Sequence, residues 1–84
     1  MRASYSSIRT PAQLGLLLQG YRKELELSQT TAASKVGLSQ KTVSALENHT
    51  DRCSLNSLFK LLSALDLELV LQPRSAGKPS DHEW

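Results

Sequence analysis

One cysteine, Cys53, and two histidines, His49 and His82, are all the thiol and imidazole ligands in this chain of 84 residues. A single thiol makes no intramolecular disulfide and suits a reducing cytoplasm. With only two histidines beside it, it is also a poor zinc set. The four glycines are scattered, so no loop is built to cradle a phosphate, and no nucleophile-bearing motif surrounds the serines. Leu14 to Leu18 is interrupted by Gly15 and followed by Gln19, far short of a membrane span. These absences lead us to expect a cytoplasmic protein without enzyme activity, cofactor, metal or membrane partner. Cys53 reads as a small loop residue rather than a reactive thiol.

What the chain does have is leucine. A hydrophobic fraction of 39% supports a folded protein rather than a disordered one. At this length one small core gives marginal stability, and oligomerisation often supplies the remainder. The formal charge is +2, and residues 1 to 72 carry all of it, with eight Lys/Arg against six Asp/Glu. That balance permits a nucleic-acid partner without demanding one.

The most informative stretch is Ser28 to Asn48, which reads as two short helices around a turn at Gly37. Ser28 and Ser39 stand where helices begin, each with a hydroxyl for the free amides of a first turn. Glycine takes a positive φ without steric cost, so Gly37 suits the turn between them. In the second helix Val43 and Leu46 share one face, and Gln40, Lys41, Ser44, Ala45 and Asn48 share the other. A polar, solvated helix face is the plain reading of those five residues. Together with the serine starts and the glycine turn, at helix-turn-helix spacing, they read as a surface for the DNA major groove, where Gln pairs with adenine and Lys reaches guanine or phosphate. Base contact falls to Gln40 and Lys41 with Ser44 assisting, while Gln29, Asn48, Ser28 and Thr30 position the backbone.

In chain order, residues 1–9 form an N-terminal arm and residues 10–72 a single domain. Thr10-Pro11-Ala12-Gln13 is a capped helix start, with Leu14, Leu17, Leu18, Tyr21 and Leu25 as its buried stripe to about Glu26. Helices over about Gln29 to Val36 and Gln40 to Asn48 follow, then a polar loop to Cys53. Ser54 caps a fourth helix with Leu55, Leu58, Leu61, Leu62 and Leu65 as its stripe. From Leu67 the period changes: Leu67, Leu69 and Leu71 alternate with Glu68, Val70 and Gln72 before Pro73. That is a strand pattern, although helical continuation remains open for so short an apolar run. A lone strand needs a partner for its amides, and a two-fold homodimer supplies one. Residues 73–84 form a flexible tail ending in Trp84, which suits an interface anchor or simply packs back on its own domain.

Leu27-Ser28-Gln29, Ala33, Gly37-Leu38-Ser39, Thr42-Val43-Ser44 and Glu47-Asn48 together resemble the helix-turn-helix of phage-repressor-like (Cro/C1, XRE) regulators, over about a quarter of the chain. The resemblance implies an all-α, lambda-repressor-like domain of four to five helices, here with the added C-terminal strand. It implies that Gln40 reads bases, that Gln29 touches phosphate and braces Gln40, and that Lys41, Ser44 and Ala45 face the groove. It also implies a buried structural ion pair between Arg22 and Glu47. Ala32 departs from the family, which usually has a larger residue there, and this predicts a smaller core contact under the second helix.

Over nearly the whole length, from Thr10-Pro11-Ala12-Gln13-Leu14 through the leucine-rich strand to Glu83-Trp84, the chain is similar to the HipB-type antitoxins of kinase-toxin operons. That similarity implies a homodimer joined by Leu67, Glu68, Leu69, Val70 and Leu71, binding palindromic double-stranded operator DNA and holding a HipA-like serine/threonine kinase toxin inactive, with Trp84 docking in a pocket on the toxin. A phage- or restriction-type regulator without a protein partner is the alternative. The tail also fits a degradation signal.

Overall fold

The computed structural model describes residues 7–74. Most of the arm, nearly all of the tail and Trp84 lie outside the described residues. Four α-helices follow in order, α1 (Pro11–Glu24), α2 (Gln29–Lys35), α3 (Gln40–Asn48) and α4 (Leu55–Ala64), with a 3-10 turn at Thr50–Arg52 where the sequence suggested only a loop.

Each α-helix begins directly after the residue whose side chain caps it. Thr10 accepts from the Gln13 amide at 3.1 Å while the Gln13 side chain accepts from the Thr10 amide at 3.2 Å, a reciprocal capping box. Ser28, Ser39 and Ser54 accept from the amides of Thr31, Thr42 and Ser57 at 3.0, 3.1 and 3.0 Å. Such caps are worth about 1 kcal/mol each.

Three of the four helices, α1, α2 and α4, end in a shared way. Leu27 N–H reaches back to the Arg22 carbonyl, Leu38 N–H to that of Ala33, and Leu67 N–H to that of Leu62. Each of these Schellman closures places the preceding residue in the left-handed region: Glu26 at φ 60°, Gly37 at φ 74° and Asp66 at φ 61°. This arrangement ends α1 two residues earlier than the leucine pattern suggested, and it leaves Leu25 exposed rather than in the stripe.

The core joins all four helices: Leu18 from α1, Ala32 and Ala33 from α2, Val43 and Leu46 from α3, and Leu58, Leu61, Leu62 and the α4 cap Leu65. Ala32 is fully buried, so the small residue that departs from the family pattern sits inside the core. Leu55 is exposed on the first turn of α4 and does not join the stripe. Where α1 crosses α3, Gly15 is the contact. A Cβ at that position would run into the Glu47 carbonyl and the Thr50 hydroxyl, which is why the leucine run breaks there.

No strand forms among the described residues, so the strand expected to pair across a dimer at Leu67, Glu68, Leu69, Val70 and Leu71 is not seen in the single chain. Helical continuation fails too, because Asp66 turns left-handed immediately after α4. A strand exists only through a hydrogen-bonded neighbouring strand, and among the described residues this segment has none. Leu69, Val70 and Leu71 are consequently left exposed.

Candidate nucleic-acid interface

The N-termini of α2 and α3 are brought side by side by the Gly37 turn. Gln29 and Gln40 are the first residues of their helices, and Gln40 Nε2 donates to Gln29 Oε1 at 2.6 Å. Gln29 Nε2 in turn donates to Glu47 Oε1 at 3.1 Å. Glu47 is the acceptor for Arg22, from Nε to Oε2 at 2.6 Å and from Nη2 to Oε1 at 3.1 Å. Arg22 Nη1 completes the line by donating to the Leu27 carbonyl at 2.8 Å. A single chain of hydrogen bonds therefore runs from the exposed start of α3 down to a buried ion pair.

The ion pair is close to sealed, with side-chain exposures of 9% for Arg22 and 0% for Glu47. Burial of a charge is costly unless every lone pair and proton finds a partner. Among the described residues no buried side-chain nitrogen or oxygen lacks one. The hydrogen bond that Arg22 donates to Glu47, together with the negative charge of Glu47, pushes the Arg22 guanidinium above its ordinary value, against the opposing effect of burial.

Around this line the other candidate residues take distinct positions. Lys41 and Thr30 are exposed, and Ser44 and Ala45 are half-buried on the same side of α3 as Gln40. The Asn48 amide donates to the Ser44 carbonyl at 2.9 Å and approaches the Ser44 hydroxyl at 3.4 Å, so part of its donor capacity is used inside the helix. Ser28 and Ser39 are engaged as caps, and their hydroxyls also meet those of Thr31 and Thr42, each at 3.0 Å. Val43 and Leu46 are fully buried on the opposite face, as their spacing requires.

Two features escaped the sequence. One is the Gln29–Glu47 bond, between residues separated by 18 positions, for which no local signal exists. The other is the close passage at Gly15, whose only trace is a glycine inside a leucine run. Cys53 is half-buried and its thiol is pushed up by burial and by the charge of Asp51, which disfavours the reactive thiolate. Among the described residues no cluster of acids, histidines and cysteine could hold a metal, and no helix is long and apolar enough to cross a membrane.

The fold that carries this site has counterparts among known proteins. A family model described as helix-turn-helix matches residues 18–72. The chain is 33% identical to the antitoxin HipB of Escherichia coli O6:H1 over 96% of its own length and 92% of that protein. Among solved structures, a HipA-HipB-O2-O3 complex contains a chain that superposes with a TM-score of 0.81 at 31% identity, covering 83% of this chain and 99% of that one. A HipB-O4 20mer complex gives 0.80 at 31% identity, again over 83% and 99%. The paired N-termini of α2 and α3 and the full-length likeness lead to one conclusion: this chain belongs to the Cro/C1-type helix-turn-helix family and, within it, to the HipB antitoxins.

Proposed function

We propose that the chain is the operator-binding repressor and antitoxin of a HipA-type kinase operon in a bacterial cytoplasm, acting as a homodimer. The observation that carries this reading is the bond from Gln40 to Gln29, which presents a preorganised side-chain amide at the exposed start of α3, where a recognition helix meets base edges. Lys41, Ser44 and Ala45 continue that face into the groove, and Gln29, Thr30, Ser28, Ser39 and Asn48 lie along its phosphate side. Relatives seen with operator sites and with HipA support the same reading. Two-fold symmetry then places two copies of α3 one helical turn, or a multiple, apart on a palindrome.

The homodimer is supported by apolar side chains that one chain leaves uncovered. Leu55 and Phe59 on α4 are exposed by 69% and 50%, and Leu69, Val70 and Leu71 by 47%, 68% and 89%. Pairing residues 67–71 with the same segment of a second copy satisfies their backbone and covers the leucines. In this reading residues 10–72 are the DNA-binding and dimerisation unit, residues 1–9 an arm and residues 73–84 a tail whose Trp84 anchors the toxin.

The test is co-purification from the native host of the full chain and of a version lacking Trp84, with intact-mass identification of what elutes. A HipA-type kinase that accompanies the full chain and is reduced without Trp84 is the expected result. Recovery of the chain with DNA alone from both preparations would reduce the protein to a plain repressor of the phage or restriction type.

A further inference from the structure

We propose that Glu47 is a positioning residue for base readout, because its carboxylate sets the direction of the hydrogen-bond line through Gln29 and so decides which way Gln40 turns its amide. This inference rests on the reading of α3 as the recognition helix. The sequence and the family resemblance give Glu47 only a structural part, as the partner of Arg22. The structure adds a third bond to the same carboxylate, from Gln29 Nε2.

The argument is one of donors and acceptors. A carboxylate only accepts, whereas a side-chain amide has one accepting and one donating end and turns over readily between them. Facing Glu47, Gln29 has a single favourable choice, which is to present its NH2. Its oxygen is thereby directed at Gln40. Gln40 must answer with its own NH2, and does so at 2.6 Å. What remains for the groove is the Gln40 oxygen and its second N–H, the pair that matches the N6 donor and N7 acceptor of adenine.

Glu47 lies two turns from Gln40 on the same helix, and its side chain is fully buried. It never meets DNA. Its influence passes through α2, and it is itself held by two bonds from Arg22, so the line begins at a group that cannot rotate. A glutamine at position 47 would keep the shape while offering Gln29 either end of an amide, and the amide of Gln40 would lose its unique direction.

The experiment measures discrimination, meaning the ratio of affinities for an operator and for the same operator with one base pair exchanged. The position is the one at which Gln40→Ala abolishes the preference. Glu47→Gln is expected to lower that ratio about tenfold, within the range of one bidentate base contact, with binding to random DNA unchanged. Thermal melts accompany every variant. If Glu47→Gln does not fold, Arg22→Met with Glu47→Gln removes the stranded cation and carries the same readout.

Adding Gln29→Glu to either variant restores an acceptor-only group beside Gln40 and is expected to recover the ratio, although overall affinity falls. A merely structural Glu47 predicts no such recovery. A wild-type ratio in the folded Glu47→Gln chain, or no recovery in the swap, overturns the inference and leaves the repressor reading intact. Absence of any base preference in the wild-type chain overturns both.

Discussion

Gln40 donates to Gln29 across 2.6 Å, so the first side chain of α3 is held by the first side chain of α2. Preorganisation of this kind lowers the ordering cost of binding. Gln40→Ala is expected to lose about 1 to 3 kcal/mol on the operator and to relax sequence preference. Gln29→Ala keeps the reading side chain but frees it, and is expected to lose less affinity than Gln40→Ala. Titration of both variants on operator and mutated DNA checks this, and unchanged behaviour of Gln40→Ala removes that residue from readout.

Arg22 and Glu47 stabilise the domain only as a pair. Arg22→Met or Glu47→Leu alone leaves a buried charge without its partner and should cost about 3 to 5 kcal/mol, whereas the double replacement should lie much closer to the wild type. Denaturant unfolding of the two single variants and the double variant measures the difference. The guanidinium is pushed up by its hydrogen bond to Glu47, so its share of stability is complete below its ordinary value. It declines only as pH rises past that value, beyond ordinary assay conditions.

The three left-handed helix ends give opposite expectations. Gly37 has no neighbour within 4 Å of the Cβ an alanine would add, so Gly37→Ala should cost about 1 kcal/mol through its φ of 74° alone. Glu26 and Asp66 already bear that strain with side chains attached. Glu26→Gly and Asp66→Gly should therefore raise the melting temperature, each by up to about 1 kcal/mol of stability. A fall in both would show that those side chains do more than tolerate the turn.

These ends also show what a sequence conceals. The helix starts were legible because a cap acts within four residues, and Thr10, Ser28, Ser39 and Ser54 each carry their own signal. The end at Gly37 was legible for the same reason. Glu26 announces nothing, since glutamate does not mark a left-handed turn, and the leucine period therefore runs past the true end of α1; Asp66 is at best a weak signal, because aspartate tolerates that region but is common elsewhere. Leu25 and Leu55 fit the period of their stripes but sit at helix ends, where the face no longer opposes the core. The Arg22–Glu47 contact spans 25 positions, and only the family resemblance brought the two together beforehand. The alternation after Asp66 was visible, but a strand belongs to a pair of segments and one chain provides a single one.

That second segment is the subject of the next expectation. Leu69→Pro should weaken self-association, because proline removes a ladder donor and disturbs a paired strand. Sedimentation of wild type and variant at matched concentration decides the matter. An intact dimer for Leu69→Pro would move the interface away from residues 67–71.

The most direct measurement for the account as a whole is titration of the full chain onto DNA from upstream of its own gene, in parallel with random duplex of equal length and at fixed salt. We expect binding at least about a thousandfold tighter on the upstream DNA, with protection of two symmetric half-sites one helical turn, or a multiple, apart. Equal affinity for both duplexes, with no protected palindrome, would contradict the account.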